Sequence, residues 1–272
     1  MIKIIIVLII LILGLGFYFL FITKEKEIQP ELLKKPMIEE TKLEASKKAA
    51  EKISIITIYD NYLADPRLKT GWGFSCLVKI KDRNILFDTG ADSETLLSNM
   101  EKMGIDPKEI DFVFISHLHG DHTGGLPGIL EIKPNLKVYK PESFSGPTQI
   151  INGVWTTGPL GTWIKEQSLI INSERGLIVI TGCAHPGVVN IIKKAKEMFP
   201  QKEVYLVLGG FHLAGSSDFE LKSIINDFKK LGIKKVAPCH CSGDRCRELF
   251  KEEYGDNFIE NSVGKIIKIK EK

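Results

Sequence analysis

The stretch Ser116-His117-Leu118-His119-Gly120-Asp121-His122-Thr123-Gly124-Gly125 places three histidines and an aspartate within six residues, directly after the apolar run 112–115. Residues two apart on an extended chain point to the same side, so His117 and His119 can share one ion. Asp121 and His122 follow in a turn opened by Gly120 and can project toward a second position. Imidazole nitrogen with carboxylate oxygen suits Zn²⁺, with Fe or Mn as alternatives. One loop histidine says little, but this spacing after a buried strand reads as a metal centre.

The chain has only six histidines in 272 residues, and the other three also sit in glycine- or proline-rich turns. His185 lies in Thr181-Gly182-Cys183-Ala184-His185-Pro186-Gly187, His212 in Gly209-Gly210-Phe211-His212-Leu213, and His240 in Pro238-Cys239-His240-Cys241. All six follow expected strands, and the carboxyl ends of strands are where layered α/β proteins gather their sites. Strands are expected at 53–59, 74–80, 84–87, 112–115, 137–139, 153–157, 168–171, 177–181, 204–208 and 235–237, from short apolar runs between Gly, Pro, Asn and Asp. Helical periodicity appears at 92–103, 187–198, 218–231 and 244–254. Hairpins followed by strand–helix alternation predict an α/β layered domain with mixed sheets, with room for two similar halves.

Apolar residues at 43% and charged residues at 26% are ordinary globular values and exclude wholesale disorder, collagen and coiled coil. Five Cys are too few, and odd in number, for a disulfide framework. The formal charge of +3 gives no support to nucleic-acid binding. The mean hydropathy of +0.01 averages unlike regions. Residues 4–22, IIIVLIILILGLGFYFLFI, contain no charge and would span roughly 28 Å as a helix, close to bilayer thickness. The run is too long for a signal-peptide core and lacks a small-residue cleavage site, so 1–22 is expected to be an uncleaved single-pass anchor. Residues 23–52 form a charged linker with eight Lys and seven Glu, in which 43–52 has the composition of a solvated helix. The domain 53–272 then carries 28 basic and 27 acidic residues. The excess of Lys after the span, and the free thiols, favour a cytoplasmic face for this domain.

The segment His117 to His122 resembles the metal-binding motif of the metallo-β-lactamase superfamily, and Asp88 in Ile85-Leu86-Phe87-Asp88-Thr89-Gly90 resembles the aspartate that precedes it there. The resemblance implies a four-layer αββα sandwich of two mixed sheets with the site between them. It implies one metal on His117, His119 and His185, and another on Asp121, His122 and His240. The superfamily's bridging aspartate has no counterpart here. The corresponding strand ends Gly209-Gly210-Phe211-His212, and the next Asp is Asp218. His212 is therefore either a ligand or a substrate contact. The strings around His185, His212 and His240 resemble the subgroup of the 7,8-dihydropterin-6-yl-methyl-4-(β-D-ribofuranosyl)aminobenzene 5'-phosphate synthases. Such an enzyme joins a dihydropterin methyl diphosphate to a ribofuranosylaminobenzene phosphate.

The chemistry so implied is metal-bound hydroxide or metal Lewis acidity acting on a small anionic ester. Asp121 would ligate and orient the nucleophile, and His212 would donate to the developing oxyanion. The amides of Gly182, Cys183 and the Gly187 turn either receive an anion or are capped internally. Loops 61–73 and 156–163 are the expected pocket walls, with Trp72, Trp155 and Trp163 available to stack on a flat ring or to pack internally. Cys239, Cys241 and Cys246 fit no familiar zinc knuckle, and Cys183 beside His185 is a possible nucleophile. Three functions follow: a membrane-tethered metallo-hydrolase, a pterin-forming transferase, or a non-catalytic binding protein. The complete histidine set favours an enzyme.

Overall fold

In the computed structural model, which describes residues 53–270, the strands sort into two six-stranded sheets. The first contains β1 (Ile53–Tyr59), β2 (Ser75–Ile80), β3 (Arg83–Phe87), β4 (Phe112–Phe114) and β5 (Lys137–Tyr139), with β12 (Ile266–Ile269) outside β1. The second runs in space from β11 (Lys235–Cys239) through β10 (Val204–Gly210), β9 (Gly176–Thr181), β8 (Leu169–Ser173) and β7 (Val154–Thr156) to β6 (Thr148–Ile151). Each sheet is antiparallel through a meander, β1–β2–β3 or β7–β8–β9, and then parallel through β3–β4–β5 or β9–β10–β11. Two similar halves are therefore present.

Strand periodicity assigns the layers. In β3, Ile85 and Phe87 enter the core between the sheets, while Leu86 enters a second core on the outer face. Helices α1 (Ser93–Lys102) and α3 (Leu126–Ile132) close that outer core. Helix α4 (Val188–Met198) buries Val188, Ile191, Ile192 and Ala195, spacings that put one apolar stripe on the back of the second sheet. Helices α5 (Asp218–Lys230) and α6 (Asp244–Tyr254) complete that layer. The result is the αββα sandwich.

All ten expected strands and four expected helices form, within a few residues of the expected bounds. Besides the one-turn helix α2 (Gly120–Thr123), formed where a turn was expected, three elements differ. β6 is an edge strand with little burial, and β12 is a four-residue alternation whose partner β1 lies at the other end of the domain. In α3, Pro127 and Gly128 obscure the periodicity, yet proline is tolerated in a first helical turn because its missing N–H is not needed there. The anchor at 4–22, the linker 23–52 and the expected helix 43–52 lie outside the described residues. Among the described residues no helix is long and apolar enough to cross a membrane.

The parallel strands β3 and β4, and likewise β9, β10 and β11, end at one edge of their sheets, and the loops leaving them carry Asp88, the 116–122 segment, Cys183, His185, His212 and His240. The inter-sheet core supports that edge through Phe87, whose ring stacks on Phe114 at 5.5 Å and meets Phe74 at 6.0 Å. Phe87→Ala should lower unfolding free energy by about 3–5 kcal/mol in urea denaturation. A loss below about 1 kcal/mol would contradict this packing.

Candidate metal centre

The site is built outward from Asp88, a fully buried carboxylate in the left-handed region at φ 51°. Its Oδ1 accepts Ser116 N at 2.7 Å, and its Oδ2 accepts both Ser116 Oγ and His122 Nδ1 at 2.7 Å. With its proton given to Asp88, Ser116 Oγ accepts from His117 Nδ1 at 2.9 Å. On the far side, His240 Nδ1 donates to Asn61 Oδ1 at 3.2 Å. Each of these imidazoles thus carries its proton on Nδ1 and turns a bare Nε2 toward the site, the arrangement that prepares a histidine to ligate.

Two groups of donor atoms result. His117, His119 and His185 converge, with ligand atoms within 4.8 Å of one another and rings 4.6–4.8 Å apart. The Nε2 atoms of His117 and His185 are buried and have no hydrogen-bond partner. Burial, then the neighbouring imidazoles, hold His117 well below its usual pKa, and His185 is pushed down to about 4 by burial and by His212 beside it. Both are therefore neutral near pH 7, with lone pairs free. An orphaned buried acceptor costs about 1–3 kcal/mol, which a bound cation would offset.

The second group is Asp121, His122, His240 and Cys183. His122 Nε2 lies 3.2 Å from His240 Nε2, and Asp121 Oδ2 lies 3.3 Å from His240 Nε2 and 3.7 Å from His122 Nε2. Burial opposes ionisation of Asp121, but the neighbouring His240 and His122 imidazoles outweigh it and keep the carboxyl below its usual range. Two inward imidazole lone pairs beside a carboxylate form a strongly negative pocket, and the donor set fits a divalent cation.

The loop carrying Cys183 and His185 has its own internal anchor. Glu166 Oε1 accepts the amides of Gly182 (3.2 Å), Cys183 (3.1 Å) and Ala184 (2.8 Å), and Oε2 accepts that of His185 (2.8 Å). Of the two expectations for these amides, internal capping holds, and they are closed to an external anion. Gly182 is required at its position: a Cβ there would collide with Ser116 Oγ and crowd Asp88 Oδ2. Asp88, Ala184, His212 and His240 are four of the five non-glycine residues at positive φ among the described residues. Strain of this kind persists only where surrounding structure imposes it, and here it aims ligands.

His212 is exposed and joins Cys183 and His185 rather than the Asp121 group, with its ring 4.4 Å from that of His185. The group it joins shares His185 with the three-histidine set and Cys183 with the Asp121 set. A hydrogen bond with Cys241 raises its pKa. Trp72 lies 5.2 Å from the His240 ring and is 61% exposed, and Trp163 is 98% exposed. Trp155 instead packs on Phe199 in the outer core and is no part of the site. A cleft of about 570 Å³, bounded by Leu118, Pro141, Pro159, Trp163 and Ile164, opens onto His119, with Glu142 and Lys165 also on its wall. Glu166 carries no sequence signal, and the contacts of Asn61 and Cys183 with the site histidines span separations that only the fold closes.

The family model described as "Metallo-beta-lactamase superfamily" matches residues 73–193. The chain is 30% identical to the 7,8-dihydropterin-6-methyl-4-(beta-D-ribofuranosyl)-aminobenzene-5'-phosphate synthase of Methanocaldococcus jannaschii, over 80% of this chain and 97% of that protein. Among solved structures, Tm1679, a metal-dependent hydrolase of the beta-lactamase superfamily, matches with a TM-score of 0.69 and 28% identity, covering 80% of this chain and all of that one. YhfI from Bacillus subtilis, a metallo-beta-lactamase fold protein, matches with a TM-score of 0.58 over 80% of this chain and 99% of its own; at 14% identity it supports the fold alone.

Asp88→Asn keeps the shape but replaces an acceptor oxygen with an amide that cannot accept from His122. Metal affinity, measured by competition with a chromogenic chelator, should fall about 10–100-fold. A folded variant with unchanged affinity would contradict the positioning role of Asp88.

Proposed function

The chain belongs to the metallo-beta-lactamase superfamily, and on that premise we propose that it is a metal-dependent hydrolase of a small anionic ester. The observation that carries this reading is the convergence of inward Nε2 atoms and the Asp121 carboxylate at the end of a cleft. His117, His119 and His185 would hold one cation, and Asp121, His122 and His240 another, with zinc as the fitting choice and iron or manganese as alternatives. When bound, such ions supply Lewis acidity toward a phosphoryl or carbonyl oxygen and make water acidic enough to attack near neutral pH.

The protein's own groups perform the remaining work. Asp121, held ionised, accepts a hydrogen bond from the attacking water and sets its direction. His212, whose pKa the hydrogen bond with Cys241 raises, would donate a proton to the oxygen that gains charge. The apolar wall of Leu118, Trp163 and Ile164 offers a seat for the organic part of the substrate, while Lys165 on the same wall favours an anionic group. We assign no nucleic-acid partner. The uncharged run 4–22 supports a single-pass membrane tether, with the domain on the cytoplasmic face.

A second reading is favoured by the 30% identity to the synthase. In a pterin-forming transferase the same acidic and imidazole donors would hold the ions that neutralise a departing diphosphate, and an aromatic nucleophile would replace water. The purified chain should hydrolyse members of a panel of phosphodiesters, carboxyl esters and lactones. Activity should be lost on chelation, restored by zinc, and abolished in His119→Ala. Turnover that survives both chelation and His119→Ala refutes the metal mechanism. Condensation of a dihydropterin methyl diphosphate with a ribofuranosylaminobenzene phosphate, identified by product mass, would select the transferase instead.

A further inference from the structure

The pocket of Asp121, His122 and His240 contains a fourth donor that the proposed reaction has not used. Cys183 Sγ lies 3.2 Å from His122 Nε2 and 3.4 Å from His240 Nε2. With the 3.2 Å between the two imidazole nitrogens and the 3.3 and 3.7 Å to Asp121 Oδ2, these are five of the six edges of a four-donor cage, and the sixth, Asp121 to Cys183, is within 4.8 Å. A zinc ion with nitrogen ligands at about 2.0–2.1 Å and sulfur at about 2.3 Å requires edges of about 3.3–3.6 Å. No carboxylate from the β10 end competes for this corner, because that strand runs into Gly209-Gly210-Phe211-His212, and Asp218 pairs with Arg245 on the surface.

We propose that Cys183 is the fourth ligand of the cation held by Asp121, His122 and His240, bound as a thiolate. The proposal rests on reading this site as a metal centre. Cys183 is aimed by its backbone, not by its own side chain: Glu166 holds the amides from Gly182 to His185, and Ala184 adopts φ 63°. Gly210 keeps the space open, since a Cβ there would meet Gly182 O and Cys241 Sγ. Cys241 supports the loop without joining the ligand group, its thiol donating to Cys183 O at 3.6 Å.

Cys183 is buried, and its thiol must lose a proton to bind a cation. A coordinated cation removes that proton outright, and it leaves to solvent as the ion enters. A thiolate corner makes this position soft. It selects zinc, cobalt or iron over manganese and magnesium, whereas the three-histidine group has no such preference built into it.

The test is cobalt substitution of the full chain, stripped of metal and reloaded with two equivalents of Co²⁺. The wild type and Cys241→Ser should show a thiolate-to-cobalt charge-transfer band in the near ultraviolet. Cys183→Ser should lose the band and bind its second equivalent at least ~10-fold more weakly, since even an outer-sphere loss costs that much. If Cys183→Ser fails to fold, X-ray absorption of the zinc-loaded wild type replaces it and should show sulfur at about 2.3 Å. Two bound equivalents without the band or the sulfur distance refute the thiolate ligand alone. A band that persists in Cys183→Ser refutes it equally. A chain that takes up no cobalt refutes the metal reading as well.

Discussion

One buried carboxylate organises the centre. Asp88 accepts three hydrogen bonds, from Ser116 N, Ser116 Oγ and His122 Nδ1, and these fix where the first histidines point and which nitrogen of each is bare. A carboxylate without solvent survives only if its lone pairs are used, so the demand of Asp88 for donors is the force that sets the tautomers. His122 shows the balance: burial alone would lower its pKa, but Asp88 raises it. Thr89 reinforces the junction, its amide and hydroxyl donating to His122 O at 2.8 and 3.0 Å.

The second sheet repeats the device with different chemistry. There Glu166 supplies the buried carboxylate, and its donors are four consecutive backbone amides instead of side chains. Burial raises the pKa of Glu166 against those amides, which favour the charged form. Each half of the sandwich therefore presents a loop whose ligands are aimed by a buried acid. The inter-sheet apolar core keeps the loops in apposition. Removing either acid would leave orphaned polar groups beside the ligands, so positional precision and local stability are coupled here.

Much of this arrangement could be read before the structure. The 117–122 segment announces itself because histidines at alternate positions after a buried strand have few other uses, and His185 and His240 share its strand-end context. Short apolar runs and four amphipathic helices predict a layered α/β domain with mixed sheets, and the resemblance to the metallo-β-lactamase superfamily adds the four-layer sandwich. What stayed hidden depends on contacts between distant segments. Glu166 is an ordinary acidic residue until the fold places it under 182–185. Asn61 reaches His240 across 179 positions. β12 pairs with β1 across nearly the whole length of the domain, and α3 hides behind Pro127 and Gly128. Cys183 looked like a nucleophile beside His185. Its short distances to His122 and His240 appear only in the fold.

The inward nitrogens of both donor groups are arranged to hold metal. Anomalous difference maps from crystals of the chain grown with zinc, collected on both sides of the zinc absorption edge, test this most directly. Two edge-dependent peaks are predicted, one within ligand distance of His117, His119 and His185 Nε2 and one among Asp121, His122 and His240, at about 2.0–2.2 Å from each donor. Well-ordered crystals with zinc present and no such peak at either position would contradict it.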